Sequence, residues 1–266
     1  MAGSLKAEVS SLLSDTESGA SALFLKTIDL CLKIIRSRSN TSYSPLKVCD
    51  AISARHPYMG NLRALSEILA ETDRDSVERS LLKLKEVVKL GPELVGSKVA
   101  GTVASKVNVT TISFSGTVSA TLLRLKEQGK LGRVYTLVST PLSEGVSLAA
   151  YLKHRRVDAQ LVHDSQMSRA VLSSSLVMCG ADAVIEGEGI INKIGSRPLA
   201  ACAKEAGKEF WVIADSSKVV SNHVGDSMKK GLSRTPIRES LFEYVPSELV
   251  SRVFTDELFQ KVRRTL

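Results

Sequence analysis

Apolar residues recur at helical spacing through roughly the first hundred positions and gather into short β-rich runs after that. Phe24, Ile28, Cys31 and Ile35 fall at i, i+4, i+7 and i+11, and Val77, Leu81, Leu84 and Val88 repeat the spacing. Each set marks one buried stripe on a helix. Pro45, the segment Arg55-His56-Pro57-Tyr58-Met59 and the triplet Leu90-Gly91-Pro92 interrupt the pattern, which predicts at least three helices with short connections. No β-like alternation precedes about Val107.

From there the chain reads Val107 to Phe114, Arg133 to Ser139, Asp158 to His163, Leu176 to Ile185 and Glu209 to Ala214 as strands, with helix-forming stretches between them. Strands alternating with helices imply right-handed βαβ units and a mainly parallel sheet. Leu241 to Pro246 is a candidate edge strand ended by its proline. The expected fold is α/β, with a helical N-terminal domain over residues 1–104 and a sheet domain with flanking helices over residues 105–266. No repeat or low-complexity linker separates them.

Composition narrows the class. With 266 residues, 43% hydrophobic and 24% charged, the chain can bury a core without staples. Cys31, Cys49, Cys179 and Cys202 form no C-x-x-C pair or zinc spacing, and three lie in apolar patterns. That usage is expected of reduced, buried thiols in a cytoplasmic protein. No uninterrupted apolar stretch reaches about 18 residues and no secretory signal is read, so no membrane role is expected. The net charge of +8 favours anionic partners. Its densest clusters, Lys153-His154-Arg155-Arg156 and Lys261-Val262-Arg263-Arg264, lack interleaved aromatics and are read as solvated helix faces rather than a nucleic-acid surface.

Candidate chemistry gathers in the strand-to-helix turns. Gly180 to Gly195 reads as a strand, a Gly-rich turn and a helix start, presenting the carboxylate of Asp182, the amide of Asn192 and the cation of Lys193. Open α/β sheets bind ligands at such carboxyl ends. Thr111 to Val118 places Ser113, Ser115, Gly116 and Thr117 at a helix N-terminus, where phosphate is readily held. Ser139 to Gly145 and His163-Asp164-Ser165 are further polar turns. Together they suggest an anion pocket; the competing reading is a set of helix caps, with Asp182 capping its own turn. The glycines do not complete G-x-G-x-x-G, no phosphate-loop motif exists, and the four histidines show no ligand spacing. Neither a metal nor a cofactor is expected.

The stretch Gly180-Ala181-Asp182 followed by Gly189-Ile190-Ile191-Asn192-Lys193-Ile194-Gly195 closely resembles the signature of the initiation factor 2B α/β/δ family, which includes methylthioribose-1-phosphate and ribose-1,5-bisphosphate isomerases. Asp164-Ser165-Gln166-Met167, the Thr111 to Val118 turn, Phe210-Trp211-Val212 and Phe242 to Pro246 also resemble family segments, in the family's order. The resemblance runs from about Gly19 to the C-terminus. It implies a helical domain on a Rossmann-like sheet, a dimer or larger assembly, and contact with the α subunit of initiation factor 2.

The resemblance leaves two activities open. The related isomerases move a carbonyl between C1 and C2 of a phosphorylated sugar, with a cysteine and an aspartate implicated. Asp182 fills the aspartate's place, but Ser113 stands where the cysteine would be and Ile112 replaces a histidine. A serine hydroxyl is far less acidic than a thiol, and no base is evident beside it in sequence. Two arginines of the isomerase pattern also appear as Ser18, ahead of Gly19, and Thr140, ahead of Pro141. Losing two guanidinium forks weakens phosphate grip, leaving Gly19, Ser113, Ser115, Gly116, Thr117, Asp164, Ser165, Asp182, Asn192 and Lys193 as candidate ligand-binding residues. The leading expectation is a non-catalytic regulatory subunit homologue that binds a phosphorylated sugar or nucleotide. The alternative is an aldose-ketose isomerase whose proton shuttle is displaced to Asp164 or Cys179.

Overall fold

The computed structural model describes residues 2–15, 18–37, 43–73 and 76–264. Its first part is helical: α1 (Ala2–Leu13), α2 (Ala20–Arg36), α3 (Pro45–Arg55), α4 (Gly60–Glu71) and α5 (Val77–Thr102). The stripe of Phe24, Ile28 and Cys31 is fully buried, with Ile35 packed beside it, and Leu62, Leu65, Leu81 and Leu84 complete the helical core. Pro45 does not break a helix but opens α3 at its first position, where its missing N–H costs nothing, and the Ser44 hydroxyl accepts the Lys47 N–H at 3.2 Å.

The expected break at Leu90-Gly91-Pro92 does not occur, because α5 runs straight through Pro92. An interior proline costs about 3 kcal/mol. Tertiary packing offsets it: the first half of α5 buries Leu81, Leu84 and Val88 in the helical core, and the second half buries Val95, Val99 and Ala100 against the sheet. The two cores therefore share one helix.

The remainder alternates β1 (Val107–Thr111), α6 (Gly116–Glu127), β2 (Leu131–Leu137), α7 (Glu144–His154), β3 (Ala159–Val162), α8 (Met167–Leu172), β4 (Leu176–Cys179), β5 (Ala183–Ile185), β6 (Gly189–Lys193), α9 (Ser196–Glu205), β7 (Phe210–Ile213), β8 (Val219–Val220), α10 (Asn222–Arg234), β9 (Phe242–Pro246), β10 (Arg252–Phe254) and α11 (Leu258–Arg263). Six strands make one parallel sheet in the order β10-β7-β4-β1-β2-β3, with apolar clusters and helices on both faces. The order reverses between β1 and β4, so the connections leaving their carboxyl ends diverge and open a crevice there. The helix α11 returns to the N-terminal half, where Phe259 meets Phe24 edge-on at 6.0 Å.

The stretch after β4 departs from the strand-turn-helix expectation. Leu176 to Ile185 is not one strand: the chain leaves the parallel sheet at Gly180, where a Cβ would lie 2.6 Å from the Ser115 side chain. It then enters a second sheet, β8-β5-β6-β9, in which β5 and β6 form an antiparallel hairpin. Ile190 to Lys193, read as turn, are thus strand residues. Gly189, at φ +141°, lies against the Val245 carbonyl so closely that any Cβ would overlap it. The Phe242–Pro246 edge strand exists, but it borders this second sheet, while the unforeseen β10 forms the edge of the first.

Gly145, in the first turn of α7, leaves no space for a methyl group because the Leu137 carbonyl occupies it, whereas Gly101 in α5 has nothing within 4 Å. Gly145→Ala should therefore lower unfolding free energy by about 1–3 kcal/mol, while Gly101→Ala should raise it by up to about 1 kcal/mol. Urea unfolding of both variants checks this pair of opposite signs.

Candidate functional site

A cavity of about 800 Å³ occupies the crevice between β1 and β4. Its lining draws on both halves of the chain: Ser18 to Ala22 from the start of α2, Ile112 to Gly116 after β1, Glu144 and Ser147 from α7, Gly180 to Asp182 after β4, Asn192 and Lys193 at the end of β6, and Lys218 after β7.

Of the residues singled out in sequence, Gly19, Ser113, Ser115, Gly116, Asp182, Asn192 and Lys193 meet here. Thr117, Asp164 and Ser165 do not. Thr117 is buried one residue inside α6, its hydroxyl without a partner. The Asp164 carboxylate accepts the backbone N–H groups of Ser139 at 2.9 Å and Thr140 at 2.8 Å. It therefore fixes the neighbouring turn and leaves the exposed Ser165 outside the lining. Cys179, the other candidate shuttle, is buried and absent from the lining; burial pushes its thiol well above the usual range.

Two helix N-termini open into the cavity. In α2 the first intrahelical bond is Leu23 N–H to Gly19 C=O at 3.0 Å, and no side chain caps the end, which leaves the N–H groups of Ala20, Ser21 and Ala22 without intrahelical acceptors. In α6, Ser119 N–H reaches Ser115 C=O and Val118 N–H the Ser115 hydroxyl, leaving Gly116 N–H as a lining donor. Gly19 and Gly116 have no close neighbour where a Cβ would stand, so backbone can approach a ligand there. By contrast α9 is already answered: Glu243 accepts the Arg197 N–H at 2.9 Å.

The charged groups are nearly all buried. Lys193 is 8% exposed, with its ammonium 4.6 Å from the Phe242 ring centre and 3.5 Å from Glu144 Oε1. Ser113, in a left-handed conformation at φ 63°, donates its hydroxyl to Glu144 Oε2 at 2.7 Å and its N–H to the Ser139 hydroxyl at 2.7 Å. A carboxylate therefore does stand beside Ser113, which sequence did not reveal. Lys218 lies 3.6 Å from Asp215, whose carboxylate also accepts the hydroxyls of Ser21 and Ser217.

Asp182 differs from these. Its backbone N–H donates to Ile191 C=O and its C=O accepts Gly60 N–H, each at 2.9 Å, while its carboxylate takes no hydrogen bond from the described residues. Burial raises its pKa, Lys218 and Lys193 pull it down, and Glu144 adds to the rise. A buried, unbonded carboxylate at a cavity wall is a group held ready for a hydroxyl or a proton.

Glu144 and Lys218 were missed as site residues. Glu144 lay in a polar turn already noted, but nothing in sequence placed it over Ser113. Ala214-Asp215-Ser216-Ser217-Lys218 follows β7 and is another polar turn at a strand's carboxyl end, so the same rule finds it. Among the described residues no group of three or more His, Cys, Asp or Glu is placed to hold a metal ion, and no helix is long and apolar enough to cross a membrane.

An acid whose pKa rises on folding costs stability once the unfolded chain ionises, above about pH 3.8 for an aspartate. Below that value the cost vanishes. Asp182→Asn should therefore raise unfolding free energy by about 0.5–2 kcal/mol at pH 7, and by nothing at pH 3; melting curves at the two pH values measure the difference.

The chain is similar in sequence and fold to proteins of known family. Translation initiation factor eIF2B subunit alpha of Dictyostelium discoideum is 31% identical over 141 residues, covering 53% of this chain and 40% of that protein. Methylthioribose-1-phosphate isomerase of Drosophila pseudoobscura pseudoobscura is 32% identical over 142 residues, covering 51% of this chain and 39% of that protein. The chain thus matches well under half the length of each. The crystal structure of a Pyrococcus horikoshii translation initiation factor eIF-2B superposes with a TM-score of 0.82 at 22% identity, over 96% of this chain and 95% of that one. The model of the initiation factor 2 subunit family matches residues 25–257, and the chain belongs to that family.

Proposed function

We propose that this protein is a non-catalytic, initiation factor 2B-like regulatory subunit homologue that binds a phosphorylated sugar or nucleotide in the crevice and acts through a protein partner. One observation carries the reading: the uncapped N-terminus of α2 and the Gly116 N–H at the start of α6 face the same cavity as Lys193 and Lys218, with Ser113 rather than a thiol on its wall. Free N–H groups, helix dipoles and buried ammonium groups together favour a phosphate. A volume near 800 Å³ suits a ligand of nucleotide or sugar-phosphate size. Asp182 and Asn192 supply polar contacts for the ligand's hydroxyls.

On this reading the protein works in the cytoplasm as a homodimer or larger assembly, with the α subunit of initiation factor 2 as partner. Occupancy of the crevice would be felt at the junction between the helical half and the sheet, because α2 contributes one wall and the β1 and β4 turns the other.

A second reading has its own observation. The unbonded carboxylate of Asp182 and the Ser113–Glu144 pair line one cavity, so a proton could be moved between neighbouring carbons of a bound sugar phosphate. That would make the protein an aldose-ketose isomerase.

Thermal shift with a panel of sugar phosphates and nucleoside monophosphates, followed by NMR of the same mixtures, separates the two. The regulator predicts a shift of melting temperature without turnover, since a ligand at 100 times its Kd adds about 2.7 kcal/mol of stability. Lys193→Ala should abolish the shift. Steady conversion of ribose 1,5-bisphosphate or methylthioribose 1-phosphate would instead establish the isomerase, and a shift that survives in Lys193→Ala would place the phosphate elsewhere.

A further inference from the structure

Glu144 stands against two of the groups of the cavity that could meet an anion. Its two carboxylate oxygens face Ser113 Oγ at 2.7 Å and Lys193 Nζ at 3.5 Å. The Glu144 and Lys193 side chains are 18% and 10% exposed, so water screens their attraction poorly. The lysine and hydroxyl directed into this part of the cavity are therefore already engaged by an anion of the protein's own. Lys218 is in a different position: its partner Asp215 is fixed by Ser21 and Ser217 and does not line the cavity. Glu144 begins α7 directly after Ser143, whose backbone is left-handed at φ 58°, so a strained turn sets where its side chain starts.

We infer that Glu144 is the selectivity element of this cavity, an internal anion that disfavours bare phosphate and that the hydroxyls of a phosphorylated sugar satisfy. The inference rests on the reading that the crevice binds a phosphate. Inorganic phosphate brings negative charge and few donors, so to reach Lys193 it must approach Glu144 or displace it. A sugar phosphate brings the same charge with hydroxyls beside it, and one of them can donate to Glu144 in place of Ser113. The carboxylate then costs the ester less than it costs the bare ion. Discrimination arises from a repulsive element aimed at the wrong ligand, as in other selective sites.

The test is titration calorimetry of inorganic phosphate, ribose 5-phosphate and AMP against the wild type, Glu144→Gln and Glu144→Asp. Glutamine preserves the size of the side chain and an acceptor for Ser113 while removing the charge. Glu144→Gln should tighten inorganic phosphate by about tenfold, the effect of roughly one close charge interaction, and should shrink the preference for ester over phosphate by a similar factor. Glu144→Asp, which keeps the charge, should retain the preference. Unchanged phosphate affinity in Glu144→Gln, with the esters still bound, would overturn the selectivity role and leave the binding reading standing. Failure of all three ligands to bind either the wild type or Glu144→Gln would overturn both.

Discussion

The backbone of Asp182 is the joint on which this architecture depends. Its N–H is committed to Ile191 in the β5–β6 hairpin and its C=O to Gly60 at the start of α4. One peptide segment thus fastens the exit of β4, the second sheet and the helical half of the chain. Gly60 approaches so closely that a Cβ there would lie 2.7 Å from Val220, so the helical half is seated on the second sheet with little tolerance. Both main-chain groups are used for assembly, which fixes where the Asp182 side chain leaves the backbone at the crevice wall. The Ser21–Asp215 hydrogen bond at 2.9 Å makes a second tie across the same boundary, and α11 contributes Phe259 to the helical core from beyond it.

With the walls fixed in this way, electrostatics decides what the cavity can hold. Each buried lysine is met by a carboxylate at a separation too long for a hydrogen bond, 3.5 Å for Lys193 and 3.6 Å for Lys218. Pairs of this kind avoid the cost of isolated buried charges without binding tightly to each other. Of the helix N-termini near the crevice, α9 is answered by Glu243, whereas α2 has no side-chain cap and α6, capped by Ser115, keeps the Gly116 N–H free. Among the described residues lining the crevice, spare capacity lies with the α2 N-terminus, the Gly116 N–H, two ammonium groups paired at more than hydrogen-bond distance, and the Asp182 carboxylate. Such a set matches a phosphate on one side and hydroxyls on the other.

Sequence made much of this legible, for identifiable reasons. The helical stripes and β-rich runs reflect one-dimensional periodicity, which survives without tertiary context, and seven of the ten candidate residues meet in one cavity because carboxyl-end turns obey a topological rule. The errors arose where packing overrode local preference. Pro92 stays helical because α5 is buried at both ends in different cores. Gly180 to Gly195 reads locally as a turn, yet its middle is a hairpin that exists only because β8 and β9, distant in sequence, flank it. Asp164, expected as a ligand group, is consumed by two backbone amides, whereas Glu144, in a polar turn but not among the candidate residues, reaches Ser113, 31 positions away.

The central claim is that the crevice at the sheet's reversal point is a phosphate site with one wall from each half of the chain. Crystals of the full chain soaked with ribose 5-phosphate and AMP test it most directly. The account predicts phosphate density between the N-termini of α2 and α6, within hydrogen-bond distance of Lys193, with sugar hydroxyls toward Asp182. Phosphate bound on another surface, or a crevice that stays empty at saturating ligand, would contradict it.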